Sequence, residues 1–196
     1  LLRFYVGKGA VPYGDHPAWT QTHEDNGKCG MAAVLFQQLR EAKSAGFFTR
    51  MALASHGGER DGGHTGNFFN MLWSLPAIAQ AGPHATGAWM REFGGWYHDL
   101  ARRWDGAFTH QGPPEPGWDS YRGWDASGAY LLAYALPRKK LVLTGRKPGV
   151  VQPLAPAAAE SVIAAGRGWN NKDRHSADDR LADAELVARL GSWSPT

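Results

Sequence analysis

Cysteine is nearly absent. One thiol, Cys29, in 196 residues excludes an internal disulfide. Long apolar runs are missing too: no stretch approaches the ~18–20 residues of a membrane span, so no span is expected. Neither sign of charge dominates. The net charge is +3, and the basic groups are scattered except at Arg138-Lys139-Lys140 and Arg146-Lys147. A solvated loop accounts for those runs better than nucleic acid, and no nucleic-acid partner is expected. Strong chemical spacings are also lacking. There is no HExxH or CxxC, so no metal centre is expected. Gly62-Gly63-His64-Thr65-Gly66 is glycine-rich but has neither the Lys-Ser/Thr of a phosphate loop nor a strand before it. No Asp-rich motif for ionising a diphosphate occurs, and no cofactor is implied. The chain begins Leu1-Leu2-Arg3, without Met, as an excised piece or processed product would.

What is present is a globular composition, 43% hydrophobic, with nine tryptophans and 25 glycines. Three segments share one design, a short polar, Gly-containing loop running into a helix-length apolar stretch. They are His23-Glu24-Asp25-Asn26-Gly27-Lys28-Cys29-Gly30 before Met31, Gly63-His64-Thr65-Gly66-Asn67 before Phe68, and Gly123-Trp124-Asp125-Ala126-Ser127-Gly128 before Ala129. Helices apolar nearly all round must be buried on all sides. If their polar starts lie together, the protein has one functional face.

The pattern predicts helices over about 28–45 (ended by Gly46), 47–55, 66–81 (with Pro76 kinking or ending it), 85–103 and 126–136. Residues 1–22 read as loop with an extended opening at Phe4-Tyr5-Val6. Residues 105–124 are a long Gly-, Pro- and aromatic-rich connection, with a short hairpin at Asp105-Gly106. A short strand is expected at 140–144, a linker at 146–160, and a C-terminal helical segment at 161–196 with its helix at 177–190. His98 and Asp99 are expected at the surface or the core edge. Buried helices alternating with half-buried ones imply an all-α fold of stacked α-hairpins, an α/α toroid of which residues 1–145 form a partial ring. An irregular helical domain is the alternative.

The three polar starts, with Trp124-Asp125-Ala126-Ser127-Gly128 continuing through Ala129-Tyr130-Leu131-Leu132-Ala133-Tyr134-Ala135-Leu136-Pro137, carry a resemblance. Over about residues 1–145 the chain resembles uncharacterised bacterial proteins in which a PDZ-like module precedes an α/α-toroid domain. The resemblance implies a toroid similar to those of six-hairpin glycosidases and terpenoid cyclases, and neighbouring domains of a longer parent chain as partners. It implies no proven reaction.

Glu24 or Asp25 with Asp125 could form the acid/base pair of a glycoside hydrolase, which needs carboxyls about 5–5.5 Å apart for retention and wider for inversion. His23, His64 and Asn67 would position a carbohydrate, and Trp118, Tyr121 and Trp124 would stack on it. The competing reading of each acid is a helix cap. Asp25 and Cys29, four apart, could ligate a metal with His23 and His64, but Cys29 reads better as a core thiol. Cys29 as a nucleophile needs His23 or His64 beside it. The leading expectation is a carbohydrate-processing hydrolase. The alternative is a non-catalytic glycan- or peptide-binding or scaffold module, favoured if every carboxyl is consumed in capping.

Overall fold

The computed structural model describes residues 1–14, 16–20, 22–56, 58–61, 68–110, 123–138 and 149–167. They form an all-α fold. The helices are α1 (Lys28–Gln38), α2 (Ala42–Ala54), the single turn α3 (Gly58–Asp61), α4 (Phe68–Ile78), α5 (Pro83–Phe93), α6 (Ser127–Ala135) and α7 (Pro156–Arg167). Extended pairing among the described residues is limited to isolated bridges. The expected strand at 140–144 and helix at 177–190 lie outside the described residues.

Helices α1 and α2 form an antiparallel hairpin whose rings Phe36 and Phe48 stack at 5.8 Å. The chain reverses at Arg40, φ 62°, where the Glu41 N–H donates to the Phe36 carbonyl at 2.9 Å. The expected break at Gly46 is therefore displaced, and Gly46 lies inside α2. Tertiary packing outweighs the glycine signal, because turning at Arg40 lays both apolar faces together and lets Arg3 grip the Glu41 carboxylate. The opening also differs from expectation. Leu2–Tyr5 is a 3-10 turn, not an extended segment, and it buries Tyr5.

Helix α4 lies against α1 and α2. It keeps Pro76 inside, then tightens into the 3-10 turn Ala79–Ala81. Pro83 occupies the first turn of α5, where its missing N–H costs nothing. The expected single helix over 85–103 is interrupted. After Phe93 the chain widens into a π-helix, Gly94–Asp99, and His98 is buried rather than at the surface. The pair Gly94-Gly95 is the local reason, since weak helix formers let the winding change.

The hairpin expected at Asp105-Gly106 is present. Gly106 takes φ 86°, and Arg103 N–H donates to the Ala107 carbonyl at 2.8 Å. Residues 107–110 then pair with 123–126 through Ala126 N–H to the Phe108 carbonyl (2.9 Å) and His110 N–H to the Trp124 carbonyl (3.0 Å). This small three-segment ribbon delivers the chain into α6. Finally, α7 begins at Pro156, within the stretch expected to be linker. It packs on α2 and α5, burying Ala159 and Ile163. The prolines at 148, 153 and 156 suggest a linker, but Pro156 opens the helix, and the i, i+4 pair Ala159/Ile163 is its buried face.

Candidate functional site

The starts of α1, α4 and α6 are neighbours. Gly27, the residue before α1, approaches the Phe69 carbonyl so closely that a Cβ there would lie 2.4 Å from the oxygen. The Phe68 ring at the head of α4 meets His110 edge-on at 5.0 Å. His110 in turn bonds the Trp124 carbonyl, and Trp124 immediately precedes the lead-in to α6.

Each nominated carboxyl has a local duty. Glu24 is 3% exposed. Its Oε1 accepts the Cys29 N–H at 2.7 Å and its Oε2 the Gly30 N–H at 3.0 Å. It therefore caps two orphan donors of α1 from outside the helix. Burial lifts its carboxyl to about 7, against the pull of Arg60 and of those N–H groups. Asp25 pairs with Lys28 in the next turn. Asp125 is exposed and accepts the Ser127 N–H at 2.8 Å; the Ser127 hydroxyl, and after it this N–H, hold its carboxyl below the usual range. Cys29 is fully buried, and burial followed by the nearby Glu24 pushes its thiol well up. That environment suits a core thiol, not a nucleophile. His64, Asn67, Trp118 and Tyr121 lie outside the described residues. Trp124 is 54% exposed, and Trp104, on the hairpin of the same ribbon, is 95% exposed.

His23 belongs to a larger ionic cluster that adds Glu59, Arg60, His56 and Glu92 to the acids expected from the sequence. Glu59 on α3 accepts the His23 N–H at 2.8 Å and the Thr22 hydroxyl at 3.0 Å, and lies 3.2 Å from His23 Nδ1. Burial raises the Glu59 carboxyl, but these bonds to His23 outweigh it and leave it below its ordinary value. Arg60 is 0% exposed. Its Nε donates to the Ser55 carbonyl at 3.2 Å, its Nη1 to Asn70 Oδ1 at 3.3 Å, and its Nη2 to the Ala52 carbonyl. Burial lowers its affinity for the proton, while Glu24, Glu59 and Glu92 raise it. Asn70 completes the mesh by donating to the Glu59 carbonyl at 2.6 Å. His56 places Nδ1 at 2.8 and 2.9 Å from the two Glu92 oxygens. One signal could have found the cluster: Glu59-Arg60-Asp61 is a charged triplet inside a glycine-rich segment, where a solvated loop would be the default.

Glu24 carries a pH prediction. Its folded value, about 7, exceeds its ordinary 4.5. The native state therefore holds a proton that the unfolded chain has released between those values. The stabilisation is complete below about 4.5 and is lost as pH rises through about 7. Glu24→Gln removes the titrating group, though its amide keeps one acceptor where the carboxyl has two. In denaturant titrations the stability difference between variant and parent should therefore move in the variant's favour between about pH 4.5 and pH 8, by roughly 3 kcal/mol at most. A difference independent of pH would contradict the burial argument.

Among the described residues no group of three or more His, Cys, Asp or Glu could hold a metal. None of their helices is long and apolar enough to cross a membrane.

Fold and site together define an all-α domain in which a buried ionic cluster ties helix starts together and an aromatic ribbon stands exposed beside them. The chain belongs to the family described as a domain of unknown function, DUF6288, which it matches over residues 1–145. No curated protein and no solved structure matches it.

Proposed function

We propose that this domain is a non-catalytic glycan-binding module. The observation that carries the reading is the pair of exposed tryptophans, Trp104 and Trp124, on one small ribbon. Their apolar faces suit the C–H faces of sugar rings. Beside them, the Asp125 carboxylate and the Arg103 guanidinium, whose charge is felt by Asp125, provide an acceptor and a donor for sugar hydroxyls. The carboxyls needed for hydrolysis are engaged otherwise, Glu24 and Asp125 as helix caps and Asp25 with Lys28. We also propose that the helices belong to a partial α/α toroid, carried after a PDZ-like module in a longer bacterial chain. The adjacency of the α1, α4 and α6 starts supports the first part, and the sequence resemblance supports the second.

Hydrolysis is the second reading. Its one favourable observation is the Glu24 carboxyl, which at about 7 has the value a general acid needs. A calorimetric titration against a panel of soluble oligosaccharides separates the two. The binding reading expects saturable binding without turnover, weakened at least about tenfold by Trp124→Ala with the helical content unchanged. Turnover of a panel member that Glu24→Gln abolishes would establish hydrolysis instead. Neither binding nor turnover on any glycan would defeat both.

A further inference from the structure

Away from the helix starts, the π-helix carries His98 into the core, where it is 2% exposed and both ring nitrogens are buried without a hydrogen-bond partner. The ring stands edge-on to Tyr130 at 4.9 Å and lies 5.4 Å from Trp89. Beside it is a small cavity between α4 and α6, walled by Met71, Leu75, Pro76, Tyr130 and Ala133. Its walls are mainly apolar. The Tyr130 hydroxyl, the polar group nearest to hand, already meets His110 Nδ1 at 3.1 Å.

These facts restrict what the cavity can take. Burial pushes the imidazole down to about 4, so near neutral pH it is uncharged, with one N–H donor and one lone pair. No charged side chain lines the space, so an ion would lose its hydration with nothing in return. A purely apolar occupant would leave the ring nitrogens unsatisfied. The room is on the order of one water molecule. The π-helical turn adds a second reason for attention, since such turns interrupt helices chiefly at functional sites.

We infer that the cavity beside His98 is a binding site for a small uncharged hydroxyl compound, between water and methanol in size, whose O–H group bonds an imidazole nitrogen. The hydroxyl both donates and accepts, so it fits whichever ring tautomer is present. Its carbon, where it has one, packs against Met71 and Ala133.

The test is nuclear magnetic resonance on the full chain labelled with nitrogen-15 in histidine. The His98 ring signals are assigned through contacts with the Tyr130 ring, and independently by their disappearance in His98→Gln. Three probes are applied: water itself, through cross-relaxation at the ring; methanol, by titration; and xenon under pressure. A long-lived water at His98, or a saturable methanol shift of one ring nitrogen, supports the site. The two arms tell a resident water from an exchangeable alcohol. Xenon perturbing the Met71 and Leu75 methyl groups, with no response to water or methanol at the ring, means a dry apolar cavity and overturns the inference. So does the absence of any response to all three probes. His98→Phe gives an independent reading at the Met71 methyl group, whose saturable methanol shift should be lost in the folded variant; a methyl shift that persists without the imidazole overturns the inference.

Discussion

Replacing Arg60 by Met should be among the most damaging single changes in this protein, costing about 3–5 kcal/mol. The loss does not come from a direct salt bridge, because the three donor bonds go to Ser55, Asn70 and Ala52. Two of those acceptors are backbone carbonyls at the C-terminal end of α2; Ala52 also accepts the Ser55 N–H at 3.4 Å, whereas Ser55 lies beyond the last helical turn. Met would take the charged donor from both and from Asn70, and a buried acceptor left unsatisfied costs about 1–3 kcal/mol. The same change strips Glu24, Glu59 and Glu92 of the buried positive charge they share. Arg60→Lys would keep that charge but cannot reach three acceptors at once, so it should recover only part of the loss. Guanidinium unfolding of both variants decides the matter. The midpoints should fall in the order parent, Lys, Met, with little change in slope. A Met variant within about 1 kcal/mol of the parent would show that the guanidinium is a passenger. Arg60→Met should cost less in a Glu24→Gln background than in the parent, because a neutral side chain at position 24 no longer depends on Arg60.

That cluster also marks the limit of what could be read from the sequence. Existence and rough placement of α1, α2, α4, α5 and α6 were legible because apolar periodicity is a local property, whereas α3 and the start of α7 carry no such signal. The 105–106 hairpin was legible because Asp-Gly specifies its own turn. The capping role of Glu24 was half legible, since an acid just ahead of an apolar run is an ordinary cap signal. Less visible were the features decided by distant partners. The α1–α2 reversal falls at Arg40, an ordinary residue made left-handed by the packing of Phe36 on Phe48. The burial of His98 follows from a π turn that no periodicity announces. Arg60 would be assigned to solvent by any compositional rule, yet it is wholly enclosed. Its enclosure depends on carbonyls of α2 and on Asn70 of α4, which only the folded chain brings together. For the site itself, the first and third loops stand ahead of α1 and α6 as the sequence pattern places them, but the division of labour among their acids is a matter of geometry.

The same glycine-to-alanine substitution should act with opposite sign at two neighbouring positions of the first hairpin. Alanine is the better helix former by about 0.8–1 kcal/mol, so propensity alone favours the change at both Gly30 and Gly46, each of which lies within a helix. Surroundings decide between them. A Cβ on Gly46 would meet only the end of the Arg50 side chain, at 3.6 Å, which is ordinary contact. Gly46→Ala should therefore stabilise by roughly 0.5–1 kcal/mol. A Cβ on Gly30 would lie 2.7 Å from the Trp73 carbonyl oxygen and 2.9 Å from its carbon. Those atoms belong to the backbone of α4, so relief requires α1 and α4 to move apart. The separation would loosen the contact on which the Glu24 cap and the neighbouring helix starts depend. Overpacking of this kind costs about 1–3 kcal/mol, which exceeds the propensity gain, and the lost cap adds to it. Gly30→Ala should unfold at lower denaturant than the parent, and Gly46→Ala at higher. Because both variants carry the same residue on the same hairpin, a common direction of change would mean that propensity governs here and that the close approach of α1 to α4 is not under strain. Opposite directions would locate the specificity of the fold in one missing methyl group, where α1 meets α4.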